Sequence, residues 1–549
     1  MTIQIFAHSN QDDVLIAWQP QPWDEAYIGF TLERRDAKTQ DITVLNNRVP
    51  PTQGAGPVPA AGISSQTSPF RRCMWIDHEP GDTDEVEYRV TPVIADGAGF
   101  KAADGMASDW TAPLRLAADA GGGMEVSFNR GTIMSQVVSR FLNNDITPQS
   151  LKGFVAQLAD PGFAPRRYLS GDIRHNLLDF LSSADQAGNH VYAAIYEFKD
   201  EELIAAVKAF KQRAHVLLGN GGTTKAGLLD ELKAAGIDAY HRDLSNGRGS
   251  SPSVHNKFVV ETKPDGTPLR VLTGSTNWTT TGLCTQLNNL LVLSRPEIAR
   301  RFLEQWHALV AAGDKMTPKL REDNGVVTVD DAVSLYFAAT KGEAEFAPVL
   351  DLIAKAKQGI LFLMFMPGKS PLLEAVLKRD TEGMYIRGVV STETTDAKGD
   401  IKVDHDVIST GGKGAQSTDV ILPEGVPDSN RPDWALGEAA RSMFLHAGMN
   451  AIVHSKVLVI DPFLDSCAVV TGSHNFSDSA SAHNDENLVI IQGNKELAMK
   501  YAVHIQGAHD HYSWRAFLQD GGDPTRIYKS LDGWRPGGDK FDEIKFWLR

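Results

Sequence analysis

The sequence predicts two pseudo-symmetric α/β/α halves joined in one bilobal unit and preceded by an all-β domain. Three observations predict it. A short polar pattern is written twice, about two hundred residues apart. Each copy lies between apolar runs that read as buried strands. Ahead of both, residues 1–118 break into short β-rich runs separated by Pro, Gly and Asp turns.

The first domain, 1–118, is set by Val14–Trp18, Gly29–Glu33 and Glu85–Val90. Trp18 falls on an early core strand and Tyr88 near the start of a late one, the position of a tyrosine corner. The pattern resembles a fibronectin type III domain, an immunoglobulin-like sandwich. Residues 50–69, rich in Pro, Gly and Ser, form an enlarged loop, and residues 119–124, with Gly121–Gly123, form a linker. Such sandwiches bind or space rather than catalyse. A passive spacer, packing against the catalytic lobes, and a protein or glycan partner all stay open.

The halves are expected at 125–320 and 321–549. Leu177–Lys208 reads as helix, apolar strand (Val191–Ile195) and helix, and Val349–Lys378 repeats that order around the strand Ile360–Met366. The duplicated pattern follows in each half: His255-Asn-Lys257 then Gly274-Ser275-Thr-Asn277, and His454-Ser-Lys456 then Gly472-Ser473-His-Asn475. Alternate residues of a strand share a face, so His and Lys of each H-x-K project side by side. The apolar run after each lysine anchors them on a buried strand. Each glycine permits a tight turn and each asparagine supplies a donor for a phosphate oxygen. A further apolar strand closes each copy, Leu290–Leu293 and Leu488–Ile491. Two histidines, two lysines and two asparagines are what a metal-free phosphodiester hydrolase needs. Trp278 and Phe476, directly after the asparagines, are either pocket walls or core.

These motifs resemble the phospholipase D superfamily, whose signature is H-x-K-x4-D followed by G-S-x-N. Asp461 fills the aspartate position of the second copy, while the first has Thr262 there with Glu261 one residue early. The resemblance implies one shared site across a pseudo-twofold axis. One histidine attacks phosphorus and forms a phosphohistidine; the other protonates the leaving group and then activates water. Lys257, Lys456, Asn277 and Asn475 hold the non-bridging oxygens, and Ser275, Ser473 and Asp461 are supports.

Roles are divided by charge. Asn288 stands eleven residues after Asn277, and Glu486 eleven after Asn475, at a position from which the family holds a motif histidine. Pairing each within its own copy puts the carboxylate of Glu486 on His454, which favours its protonated form, and the neutral amide of Asn288 on His255. His454 is then the general acid and base, and His255 the nucleophile. The amide-then-glutamate order resembles the tyrosyl-DNA phosphodiesterase branch, which uses its first histidine as nucleophile.

Composition narrows the function. The chain has 54 Lys plus Arg against 69 Asp plus Glu, a net charge of −15. Residues 1–118 hold 9 basic and 16 acidic side chains, which leaves 45 against 53 in the rest. That is not the footprint of a protein that wraps nucleic acid. No metal or cofactor is implied, because a lysine two residues from each histidine repels a cation. Asp404-His405-Asp406 and His509-Asp510-His511 read as solvated polar segments rather than ligands. Cys73, Cys284 and Cys467 are odd in number and far apart, which points to a reducing compartment. No secretory signal or membrane span is visible, so the expectation is cytoplasmic, or exported by another route.

The second half spends about thirty more residues than the first between its apolar strand and its H-x-K, an insertion near 392–450 read as a substrate-selecting lid. Within it, Trp434–Leu445 either packs as a helix on its own core or dips into a lipid surface as a peripheral membrane contact. The expected activity is hydrolysis or transphosphatidylation of a phosphodiester, with phospholipid preferred over nucleic acid. A nuclease or DNA-end-processing enzyme is the alternative, and a catalytically inactive binding protein the alternative of another class.

Overall fold

The computed structural model describes residues 2–549 apart from 54–57, 60, 82, 132–137, 139–140, 143–146, 250, 331, 369, 381–383, 392–406, 410–451, 520–522 and 539. The expected lid near 392–450, the segment Trp434–Leu445 and the triplet Asp404–Asp406 therefore lie outside the described residues, save for a short strand, Val407–Ser409. Two compact units divide the chain. One takes in Met1–Ala118 together with Trp514–Arg549, and the other runs from Asp119 through Ser513. Trp514–Arg549, expected within the second half, groups with the N-terminal residues.

In the first unit, strands Thr2–Ser9, Val14–Gln21 and Met74–Asp77 form one antiparallel sheet. A second, five-stranded sheet is built on the long pair Tyr27–Asp36 and Glu85–Asp96. Trp18, Phe30 and Tyr88 are fully buried, with Trp18 edge-on to Phe30 at 5.6 Å. The Tyr88 hydroxyl donates to the Asp77 carboxylate at 3.0 Å, a side-chain acceptor where a tyrosine corner uses backbone. Trp547 joins this unit through its carbonyl, which lies 3.1 Å from His8 Nε2.

In the second unit two sheets repeat one topology. The first runs in the order Met124–Phe128, Asn289–Leu293, Pro268–Gly274, Lys257–Thr262, His190–Ile195, Ala214–Leu218, Asp238–His241. In the second, Val333–Ala338, Glu486–Gln492, Ala468–Gly472, Lys456–Ile460, Gly359–Met364, Tyr385–Val390 and Val407–Ser409 take the same places, with Thr328–Asp330 added at the edge. In each sheet the last two pairings are parallel and the rest antiparallel. Lys257–Thr262 and Lys456–Ile460 are buried along their whole length. Central strands covered on both faces read as unbroken apolar runs for this reason.

The aspartate position of the signature explains how each H-x-K strand is held. Asp461 accepts the backbone N–H groups of Lys357, Gln358 and Gly359 at 2.7–3.1 Å, which fixes the turn into the neighbouring strand Gly359–Met364. In the first half, Glu261 does comparable work through side chains: its carboxylate accepts from Asn189 at 2.6 Å and Arg270 at 2.5 Å. The Thr262 hydroxyl is buried without a hydrogen-bond partner. A one-residue shift of the acid thus changes the partners and keeps the anchor.

The halves are stitched together beside their motifs. His255 N–H donates to Asp485 O and Asp485 N–H to Ser253 O, both at 2.9 Å. On the other side of the pseudo-axis Leu287 N–H donates to Ile452 O and His454 N–H to Leu287 O, again at 2.9 Å. Side chains add a second symmetric pair, Thr273 Oγ1 to Asn487 Oδ1 at 3.0 Å and Asn289 Nδ2 to Thr471 Oγ1 at 3.2 Å. One side also carries a guanidinium–carboxylate pair: Arg242, fully buried, grips Asp485 with Nε–Oδ2 at 2.7 Å and Nη2–Oδ1 at 3.3 Å.

Candidate active site

The site forms where the two H-x-K strands begin. Each G-S-x-N glycine sits at a positive φ, 138° at Gly274 and 141° at Gly472. A Cβ at either would lie 2.4 Å from the carbonyl oxygen of Asn289 or Asn487. Only glycine allows this approach, and it places Ser275 and Ser473 against the next strand. Ser275 Oγ donates to Asn288 at 2.8 Å and Ser473 Oγ to Glu486 at 2.8 Å.

Those two acceptors hold the histidines, and they do so across the halves. His255 Nδ1 lies 2.7 Å from Glu486 Oε2 and 3.2 Å from the Ser473 carbonyl. His454 Nδ1 lies 2.9 Å from Asn288 Oδ1 and 3.1 Å from the Ser275 carbonyl. This reverses the pairing expected from sequence, in which each acceptor served the histidine of its own copy. The physical reason is the stitching described above: Asp485 clamps both flanks of Val254, so its neighbour Glu486 meets His255, and Leu287 does the same for Asn288 and His454.

With two acceptors at each Nδ1, that nitrogen carries the hydrogen and Nε2 keeps its lone pair in the neutral ring. Neither Nε2 makes a hydrogen bond to a described residue. The ring centroids are 6.5 Å apart, the span of one phosphoryl group. Both rings are nearly buried.

Two lysines complete the cluster. Lys257 Nζ donates to the His255 carbonyl at 2.8 Å, and Lys456 Nζ donates to that of His454. Each ammonium also faces an aromatic ring, Tyr196 at 4.9 Å and Phe365 at 4.7 Å. The same rings wall the histidines, Tyr196 with His255 at 4.7 Å and Phe365 with His454 at 4.6 Å. Sequence reading missed both, although each directly follows the apolar strand of its half. Trp278 and Phe476 prove to be core: both are buried, Trp278 edge-on to Phe198 at 5.2 Å and Phe476 within the apolar cluster of the second half.

Charge crowding without solvent dominates the electrostatics. Burial lowers His255 to about 4, with Glu486 opposing and the lysines reinforcing the shift. Burial and the two lysines push His454 well below the usual imidazole range. Lys257 is lowered by burial to about 7, and Lys456 well below the ordinary lysine value. Burial opposes ionisation of Glu486, yet His255 and the other cations hold it below the usual carboxylate range.

Asn277 is tied to the cluster through Glu197, whose charge reaches Lys257. Asn277 Nδ2 donates to Glu197 Oε2 at 2.8 Å, and the Oδ1 atoms of both asparagines are buried without a partner. Glu197, unremarked in the sequence, is thus part of the site. His509–His511, expected to be a solvated segment, lie on the helix Lys495–Gln519 with His509 buried.

A family model described as "Cardiolipin synthase, PLD-like domain" matches residues 178–310 and 349–508, one H-x-K in each segment. Mitochondrial cardiolipin hydrolase of Danio rerio is 27% identical over 155 residues, 28% of this chain and 63% of that protein, so less than two thirds of that relative is spanned. Among solved structures, phosphatidylserine synthase of Haemophilus influenzae Rd KW20 is 11% identical, over 67% of this chain and 92% of that one, with a TM-score of 0.38. A phospholipase D family member, Nuc from Salmonella typhimurium, is 19% identical over 33% and 95%, with a TM-score of 0.20.

Proposed function

As the chain belongs to the family of cardiolipin synthase-type PLD-like domains, we propose that it is a phosphodiesterase acting on phospholipids or related small diesters through a phosphohistidine. The observation that carries this reading is the pair of opposed imidazoles, both anchored at Nδ1 and 6.5 Å apart between two buried lysines. The family relative named as a cardiolipin hydrolase accords with a lipid substrate, as does the acidic balance of the chain.

His255 is the nucleophile. Its Nε2 lone pair attacks phosphorus as the bond to the leaving oxygen breaks, and the ring becomes a cationic phosphoimidazolium. Glu486, at 2.7 Å, stabilises that charge where it develops. The cross-half pairing keeps the assignment drawn from sequence but replaces its reason: the carboxylate supports the nucleophile, and the acid is the histidine held by an amide. His454 gives the proton on its Nε2 to the leaving oxygen, then takes one from the water that attacks phosphorus and breaks the N–P bond. The products are an alcohol and a phosphomonoester; an alcohol in place of water gives the exchanged diester. An amide partner leaves His454 a stronger acid than a carboxylate would. It is neutral in the free site; the negative charge of the bound phosphodiester beside the ring raises its affinity for a proton, which is taken up from solvent on binding.

Lys257, Lys456, Asn277 and Asn475 hold the non-bridging oxygens, Ser275 and Ser473 orient Asn288 and Glu486, and Asp461 anchors its strand. The N-terminal unit is a fibronectin type III-like sandwich serving as a spacer or binding module.

The test compares headgroup release from phospholipid vesicles with cleavage of single-stranded DNA in excess EDTA, using His255→Ala as control. Headgroup release lost in the variant supports the proposal. Cleavage of DNA alone replaces it with a nuclease.

A further inference from the structure

The two halves superpose in topology but differ at one rim position. Ile195 and Met364 both end their strands opposite a motif lysine, Lys257 and Lys456 respectively. The next residues are the aromatic walls, Tyr196 and Phe365, and the residues after those are Glu197 and Met366. One rim therefore carries a carboxylate and the other a thioether, with Met366 51% exposed.

Glu197 is built into its place. One oxygen accepts from Asn277 Nδ2 at 2.8 Å, and the other from the Thr223 backbone N–H at 3.3 Å. A Cβ at Gly221 would lie 2.5 Å from Glu197 Cγ, so the Gly219–Gly222 turn packs directly on its stem. Among the described residues no cation pairs with it at ion-pair distance: its hydrogen-bond partners are an amide and a backbone N–H. The side chain is half-buried, and its charge reaches Lys257, opposing the effect of burial there.

A carboxylate beside an anion-binding cluster weakens the hold on phosphate and so calls for a different use. It repels a second phosphate, which a polyanionic strand would bring to the rim. It attracts an ammonium, and a carboxylate–ammonium hydrogen bond is roughly twice as strong as a neutral one. Building on the phosphodiesterase reading, we propose that Glu197 is a specificity-determining residue that accepts a hydrogen bond from the ammonium group of a zwitterionic, amino-alcohol phosphodiester.

The test measures turnover of phosphatidylethanolamine and phosphatidylglycerol in matched vesicles by wild type, Glu197→Gln and Glu197→Asp. Calorimetry of soluble glycerophosphoethanolamine and glycerophosphoglycerol runs alongside. Glu197→Gln keeps the acceptor for Asn277 and removes the charge; Glu197→Asp keeps the charge. The expected result is a wild-type preference of about tenfold for the amine-bearing diester, the size of one charge-assisted contact. It collapses to about twofold or less in Glu197→Gln and is retained in part in Glu197→Asp. Equal turnover by wild type, or a preference that survives Glu197→Gln, overturns the assignment. A preference for the glycerol diester that Glu197→Gln abolishes overturns it in favour of a hydroxyl donor. If wild type hydrolyses neither lipid, the phosphodiesterase reading fails, and the ratio of the two dissociation constants still decides the role of Glu197.

Discussion

Replacing Glu486 by Gln isolates the charge that the structure places behind His255. The side chain is fully buried and accepts from His255 Nδ1 at 2.7 Å and from Ser473 Oγ at 2.8 Å, contacts that a glutamine oxygen can keep. What is lost is the negative charge facing a ring that turns cationic as the N–P bond forms. Hydrogen bonds to charged groups contribute about 1.5–3 kcal/mol and neutral ones about 0.5–1.5, a difference of about 1–2 kcal/mol. Two unit charges about 4 Å apart at an effective dielectric near 20 attract by about 4 kcal/mol, which sets the ceiling. Formation of the phosphoenzyme should therefore slow by roughly 5- to 30-fold, with a ceiling of about 1000-fold. The assay is the pre-steady-state burst with two diesters sharing one retained group: a p-nitrophenyl ester, whose leaving group needs no proton, and an alkyl ester, whose leaving group does. Support of the nucleophile predicts a similar loss with both. A loss confined to the alkyl ester would place Glu486 behind the general acid and refute the argument.

Three further outcomes follow from the geometry. Lys257, lowered to about 7, carries its charge below that pH and loses it above, so affinity for the anionic substrate falls as pH rises through about 7. A basic limb of kcat/KM near pH 7 that moves up by more than one pH unit in Lys257→Arg is expected; an unmoved limb contradicts the attribution. Asp461→Ala strands the backbone N–H groups of Lys357, Gln358 and Gly359, and urea unfolding should show a loss of about 2–4 kcal/mol. Arg242→Met leaves Asp485 buried without its partner, with an expected loss of about 3–5 kcal/mol by the same measurement; a change under about 1 kcal/mol would mean the pair does not hold the halves together.

The motif residues were legible because their chemistry is written in short range: H-x-K on a strand and G-S-x-N at a turn place six polar groups with no knowledge of the rest. The apolar runs also marked Lys257–Thr262 and Lys456–Ile460 as buried central strands, while the order of the strands in each sheet was not legible. The histidine–acceptor pairing was not legible. It depends on Asp485 and Leu287 crossing to the opposite half, contacts 231 and 166 residues apart along the chain that no local pattern records. Tyr196 and Phe365 carried a signal in their matched positions after equivalent strands. Glu197 carried none, because a single surface-type carboxylate is unremarkable until Asn277 and Gly221 are seen to hold it. For Trp278 and Phe476 the sequence left pocket wall and core both open, and burial decides for core.

The central claim is a covalent adduct on His255, and rapid quenching of a single turnover in excess EDTA tests it. A diester labelled at phosphorus should transfer its phosphoryl group to the protein, and mapping of the labelled peptide under alkaline conditions should find it at His255 in wild type and accumulating in His454→Ala. Label on His454, or turnover with no protein-bound phosphorus at any time point, would contradict the account.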